Sequence, residues 1–315
     1  MNISNNSKGV YFLANNKVLN LTIAFLNSFK AHNYDLDLCF IPYDDDIDEI
    51  IHLRDTYNFA VYENMDLLEL CDQISIKFHG IKVGAYRKLA IWEGLYDQFI
   101  YIDIDTIVLK NLSFVWKNLN HCKIFTSHSN LSHIRRWVWK ESIYNSKKLS
   151  SLQIEYAANT GFIVSTKGTI QMNWVVEQIE AALELKDDMQ LLCMEQPFLN
   201  YLIVTSGYNY GSLLSFYNWD ALNGTNTGVE LEYWAGRPGG KTRKGTFVSP
   251  EKRPTFLLHW AGVWRNNNED ITTIPYFEIW NYYRNLNTKN LKTPNKKNTK
   301  NIFSKLYASL NKIEQ

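Results

Sequence analysis

The run Gln98-Phe-Ile-Tyr-Ile-Asp103-Ile-Asp105 constrains this chain most, because a continuous apolar, β-branched and aromatic segment ends abruptly in two carboxylates one residue apart. Such a run predicts a strand covered on both faces, as in a parallel sheet flanked by helices, where strict alternation is not required. Ligands of open α/β sheets sit beyond the carboxyl ends of these strands. Two carboxylates there are costly unless a cation compensates them. Hard oxygen donors suit Mg²⁺ or Mn²⁺, with positions left open for substrate phosphates. The triplet alone is weak evidence, since 32 acidic residues in 315 produce such pairs on solvated turns by chance.

The rest of the chain alternates strand and helix signals. Residues 10–14 predict a first strand; Asn15-Asn16 caps it, and Val18, Leu21, Ala24, Phe25 and Phe29 follow at helical spacing. Further strands are predicted over 36–41, 59–62, 157–165 and 255–259, with helices over 83–95, 170–185, 188–204 and 275–284. This is the α/β pattern of a mostly parallel sheet, with 1–285 as one unit. Residues 218–254 read as a long loop or lid. Within it, Arg237-Pro-Gly-Gly240-Lys241-Thr242 lacks the first glycine of a phosphate loop, Ala235 standing there, and reads as a mobile basic loop.

Composition narrows the class. At 45% hydrophobic and 21% charged the chain is an ordinary soluble protein, with no apolar leader in its first residues and no membrane-length apolar stretch. Cys39, Cys71, Cys122 and Cys193 are scattered without metal spacing, Cys39 and Cys193 as small core residues, and a reducing cytoplasmic setting is expected. The whole-chain charge of +1 conceals a tail, 286–315, that carries +6 and leaves −5 on the body, so nucleic acid is not an expected partner. In that Asn/Lys-rich tail Ile302, Phe303, Leu306, Leu310 and Ile313 recur at helical spacing. Peripheral contact with an anionic membrane through 302–313 is one reading, a helix packed on the body or a solvated tail the others. Aromatic pairs at Trp137/Trp139, Tyr217/Trp219, Tyr233/Trp234 and Trp260/Trp264 are either core packing or faces for sugar rings.

Taken in chain order, Lys88, Asp103-Ile-Asp105, Asn159-Thr-Gly161, Glu195-Gln196 and His259-Trp-Ala-Gly262-Val-Trp-Arg265 resemble the nucleotide-sugar glycosyltransferases of the GT-A fold, in particular the glycogenin-like retaining group. The resemblance covers roughly 8–285. It implies a metal site of Asp103, Asp105 and His259 holding Mn²⁺ or Mg²⁺, the nitrogen ligand favouring Mn²⁺. It further implies a nucleotide-sugar donor held by Lys88, Arg265, Asn15, Gly262 and Gln196, with Glu195 and Asn159 acting on the sugar. Lys88 lies fifteen residues before Asp103, and Arg87 beside it competes for the phosphate role. Arg265 stands where the family has Lys, and Glu195 where it more often has Asp; Arg keeps the charge and adds a planar fork suited to phosphate. Val18 stands where the family stacks an aromatic residue on uracil, so UDP is the first expectation for the base and GDP the second.

The implied reaction transfers a hexose from that donor to a hydroxyl of a glycan, lipid-linked or protein acceptor with retention. A phosphohydrolase of the haloacid-dehalogenase type also ends a strand in Asp-x-Asp, but has Thr or Val where Ile107 stands and leaves His259 without a part. A non-catalytic sugar-nucleotide binder shares every motif.

Overall fold

The computed structural model describes residues 7–212, 230–263 and 271–287. Its main sheet takes β1 (Lys8–Ala14), β2 (Asp37–Pro42), β3 (Phe59–Val61) and β4 (Gln98–Ile102), then β6 (Ile124–Thr126), β7 (Phe162–Thr166) and β8 (Tyr210–Ser212). The seven strands lie in the order β3-β2-β1-β4-β7-β6-β8, and β7 alone runs against its neighbours. A second sheet, β5 (Thr106–Val108), β12 (Thr255–His259) and β9 (Glu230–Trp234), is ordered β5-β12-β9.

The central strands are apolar on both faces because each face has its own core. Tyr11, Leu13, Cys39, Ile41, Phe99 and Tyr101 enter one cluster, which includes buried residues of the helices Met65–His79, Gly84–Glu93, Met172–Leu183 and Gln196–Thr205. Their sequence neighbours Val10, Phe12, Leu38, Phe40, Ile100 and Ile102 enter the other, with Phe25, Leu26 and Phe29 of the helix Leu19–His32. Period-two side-chain direction thus turns one unbroken apolar run into two half-cores. Each fully buried Phe or Leu stabilises the fold by about 1.5–3 kcal/mol relative to exposure.

At the end of β4 the chain leaves one sheet for the other. The amide of Asp103 donates to the carbonyl of Gly161 at 2.8 Å, extending the β4–β7 ladder by one bond. The amide of Trp260 donates to the carbonyl of Asp105 at 2.9 Å, extending β5–β12 in the same way. Asp103-Ile104-Asp105 is therefore the junction of two sheets, anchored at both ends by backbone bonds.

The α/β class and the strands expected near 10–14, 36–41, 59–62, 157–165 and 255–259 are present, as is a helix at Phe277–Arg284. Five expectations need correction. The segment before β4 is a 3₁₀ helix, Gly84–Glu93. The helix expected over 188–204 begins only at Gln196, because Met194 adopts φ 55° and breaks the run. The loop expected over 218–254 is folded where it is described: β9 joins the second sheet, and β10 (Lys241–Arg243) pairs with β11 (Thr246–Val248). Arg237 is likewise not on a free loop, since Glu230 and Glu251 both pair with it. Cys39 is buried as expected, whereas Cys193 is only half-buried. Arg265, Tyr217, Trp219, Trp264 and the 302–313 segment lie outside the described residues. No helix among the described residues is long and apolar enough to cross a membrane.

Candidate metal and donor site

Two parts of the fold deliver candidate ligands to the end of β4. Asp103 and Asp105 come from the junction itself, His259 closes β12, and together they form a group whose ligand atoms all lie within 4.8 Å of one another. His259 Nε2 is 3.0 Å from Asp105 Oδ1. Asp103 is held by its other oxygen: Oδ1 accepts from the Tyr101 hydroxyl at 2.6 Å and pairs with Lys88 Nζ at 2.9 Å. Its Oδ2 faces Gly161. A Cβ on Gly161 would lie 2.5 Å from His259 Cε1, 2.9 Å from Asp103 Oδ2 and 3.2 Å from Asn159 Oδ1, so the bare glycine keeps the space between the ligands clear. Two carboxylates and an imidazole around such a gap fit a divalent cation.

Arg87 and Lys88 are adjacent in sequence and opposite in use. The Arg87 guanidinium binds Asp72 through Nε at 2.9 Å and Nη2 at 2.7 Å, and its Nη1 donates to the Pro42 carbonyl. It is fully spent on the scaffold. Lys88, 4% exposed, reaches the cluster instead, bonding Glu195 Oε1 at 2.5 Å as well as Asp103, with its Nζ 4.9 Å from the centre of the Tyr101 ring. Burial disfavours its charge, but the two carboxylates overcome that and raise its pKa, so it stays cationic. Burial, reinforced by the charge of Asp103, raises the Glu195 pKa against the pull of Lys88.

Glu195 sits just before the helix Gln196–Thr205, turned inward after the left-handed Met194. Asn200 in that helix clamps it to the preceding strand segment, accepting from Ala158 N at 2.7 Å and donating to Ala158 O at 2.9 Å. The neighbouring Asn159 accepts from Gly161 N at 2.9 Å and donates to Glu232 Oε1 at 2.7 Å.

Glu232 is the residue that sequence reasoning missed. It lies on β9, is 2% exposed, and its Oε1 is 2.6 Å from His259 Nδ1. Burial alone would raise its pKa, yet the His259 charge and hydrogen bond pull it down to about 2. Burial likewise disfavours a charged His259, and Asp105 and Glu232 together override it, holding the imidazole pKa well above its ordinary value. The signal for Glu232 was the alternating Glu230-Leu-Glu-Tyr-Trp234, masked by the glycine-rich and basic residues that follow it.

The other expected residues are placed differently. Gln196 is at the site's edge with its amide engaged by backbone, accepting from Thr160 N at 3.3 Å and donating to Trp137 O at 3.1 Å. Asn15 follows β1 and donates to Asp44 Oδ2 at 2.7 Å, with no bond to the cluster among the described residues. Gly262 turns the chain after β12 at φ 72°, with open space where a Cβ would point. Of the aromatic pairs, Trp139, Tyr233 and Trp260 are core, whereas Trp137 and Trp234 are about half exposed.

No family model and no curated protein matches the chain. Solved structures do. The galactosyltransferase LgtC in complex with donor and acceptor sugar analogues aligns over 92% of this chain and 98% of its own, at 15% identity and a TM-score of 0.56. An LgtC variant altered in its active site aligns over 87% of this chain and 94% of its own, at 14% identity and a TM-score of 0.56. The bifunctional glycosyltransferase WbbM aligns over 90% of this chain but 50% of its own, at 12% identity and a TM-score of 0.55, so this chain spans half of that protein. Together with the sheet order and the strand-end cluster, these likenesses give the chain the GT-A fold of glycosyltransferases.

Proposed function

We propose that the protein is a metal-dependent glycosyltransferase. It moves a hexose from a nucleotide-sugar donor to a hydroxyl of a glycan, lipid-linked or protein acceptor, with retention, and 1–285 is its catalytic unit. The observation that carries this reading is the convergence of Asp103, Asp105, His259 and Lys88 at the end of β4, around the gap that Gly161 leaves open. Three groups able to hold a divalent cation beside a buried lysine suit the diphosphate of a leaving nucleotide. That LgtC was solved with donor and acceptor sugar analogues supports the same substrate classes here.

Mn²⁺ or Mg²⁺, held by Asp103, Asp105 and His259, would offset the charge that builds on the diphosphate as the sugar bond breaks. Lys88 supplies a fixed cation beside that charge, preorganised by Asp103 and Glu195. Arg265 adds a second cation to the phosphates. Glu195 lies on the sugar side, where its carboxylate steadies an oxocarbenium-like transition state. The acceptor hydroxyl attacks the anomeric carbon on the face that the diphosphate leaves, and its proton passes to the departing phosphate oxygen. Asn159, fixed at both ends, has one N–H left to orient the sugar. UDP is the first base to test and GDP the second. A reducing cytoplasm is the setting proposed with this activity, and the buried thiols of Cys39, Cys71 and Cys122 are compatible with it.

A thermal-shift panel of nucleotide sugars with and without Mn²⁺ tests the reading. One donor at a hundredfold excess over its Kd stabilises the fold by about 2.7 kcal/mol, and should do so only with metal present. A panel in which no nucleotide sugar raises the melting temperature with Mn²⁺, while a phosphomonoester is hydrolysed, overturns it.

A further inference from the structure

Glu232 occupies a position that packing alone would give to an apolar residue. Its strand neighbours Leu231 and Tyr233 are buried core, and β9 lies beside β12, where Leu257 registers with Glu232. A carboxylate in that setting carries a desolvation cost that only specific partners offset. Ser127 lies against this carboxylate, and two residues of the candidate site bond one of its oxygens. His259 Nδ1 lies 2.6 Å and Asn159 Nδ2 2.7 Å from the same oxygen, Oε1.

The geometry separates Glu232 from the ligands themselves. It bonds the Nδ1 edge of the imidazole, whereas Nε2 faces Asp105 at 3.0 Å. A group on the Nδ1 edge cannot share a cation with Nε2 of the same ring. What it can do is accept the Nδ1 proton, which leaves the lone pair on Nε2 and fixes the plane of the ring. The other bond reaches Asn159, whose Oδ1 is already held by the amide of Gly161 at 2.9 Å, beside the gap between the ligands.

We propose that Glu232 is the positioning residue of the site: one buried carboxylate oxygen sets both the tautomer and orientation of the metal-ligating His259 and the orientation of Asn159, coupling the metal side of the pocket to its sugar side. This rests on the metal-dependent reading above. It assigns Glu232 no contact with the reacting atoms.

The test uses the full chain and Mn²⁺ alone, without donor. Glu232→Gln keeps the shape of the side chain but offers His259 a neutral, two-faced amide that can also donate to Nδ1 and so favour the wrong tautomer. The expected result is a loss of Mn²⁺ affinity by about 10- to 100-fold in isothermal titration. The ¹⁴N modulation of bound Mn²⁺ in electron spin-echo spectra should weaken toward that of His259→Ala, because a ring that is no longer held ligates poorly. A merely structural glutamate would lower the melting temperature and leave that modulation unchanged. If Glu232→Gln does not fold, the unaltered chain carries the test with Zn²⁺ as a diamagnetic probe. Ring ¹⁵N signals of His259 must then show a protonated, hydrogen-bonded Nδ1 and a metal-bound Nε2. Equal Mn²⁺ affinity and equal modulation in Glu232→Gln, or metal found on Nδ1, overturns the proposal while leaving the metal reading intact. Failure of the unaltered chain to bind Mn²⁺ overturns the metal reading and the proposal with it.

Discussion

Replacing Gly161 by alanine places a methyl group among the ligand atoms at the end of β4. Gly161 is not among the residues of positive φ, so the backbone accepts alanine without strain and the whole effect is steric. Carbon atoms pack at about 3.5–4.0 Å. The new Cβ would sit 2.5 Å from His259 Cε1, a shortfall of about 1 Å or more on that scale. His259 cannot recede, because Glu232 holds its far edge at 2.6 Å and β12 is bonded to β5 and β9 on its two sides. Asp103, 2.9 Å from the same Cβ through Oδ2, is fixed through Oδ1 by Tyr101 and Lys88. Relief must come from spreading the junction of the two sheets. Overpacking of this kind costs about 1–3 kcal/mol, or a few degrees of melting temperature. Mn²⁺ affinity should fall much further, about tenfold or more, because the distortion is concentrated on the ligands. Titration calorimetry with MnCl₂ and thermal denaturation measure the two effects separately. Gly168→Ala is the control: φ is 75° with nothing within 4 Å of a built Cβ, so it strains the backbone and should lower stability without touching Mn²⁺ binding. Unchanged Mn²⁺ affinity in Gly161→Ala would refute the assignment of that gap to a metal.

Removing Asp105 or His259 as alanine should abolish the metal-dependent stabilisation by donor and the transfer activity while the protein still folds; full activity of either variant in EDTA-treated buffer would rule the site out. Arg87→Ala and Lys88→Met should separate scaffold from site. The first leaves the buried Asp72 with only Lys82, at 2.8 Å, and should cost about 3 kcal/mol in urea denaturation while keeping donor binding. The second should lose Mn²⁺-dependent donor binding in the thermal-shift assay. Mn²⁺ affinity should also fall as pH falls, because metal must displace the proton that Asp105 and Glu232 hold on His259 against burial; calorimetry in buffers of differing ionisation enthalpy should show proton release. In the metal-free protein the sign is opposite. A folded-state pKa raised above the ordinary histidine value of about 6.5 contributes stability that is full below that value and is lost as pH rises through the raised one. Melting curves without metal should show that alkaline loss, and His259→Gln should remove it.

Much of this arrangement was legible because it is written in local patterns. The β4 run announces its double burial through four apolar or β-favouring residues, Phe99 to Ile102, and the two aspartates announce where it ends. His259 stood out only through the resemblance, by its spacing to Gly262 and Arg265 and its order after Lys88, Asp103 and Asn159; a histidine after an apolar strand reads by itself as core. What escaped was set by tertiary contacts. Glu232 is polar by composition and buried only because β9 is drawn against β12. The strands β6 and β8 are three residues each, too short for a periodic signal. The helix expected over 188–204 looked continuous because the left-handed turn at Met194 falls on a residue that carries no turn signature. The resemblance pointed to Lys88 and kept Arg87 as its competitor, since both are cations and only the position of Asp72 distinguishes them.

That sorting of Arg87 from Lys88 makes the order of two letters a structural quantity. In the 3₁₀ helix Gly84–Glu93 successive side chains diverge by about a third of a turn, so one residue is aimed at the scaffold and the next into the pocket. The fork belongs where a carboxylate and a carbonyl must be gripped together, and the slender ammonium belongs where a narrow space opens between two acids. Exchanging them would leave net charge, composition and hydropathy untouched, and would spoil both attachments at once. The information resides in the permutation, which any measure that counts residues is blind to.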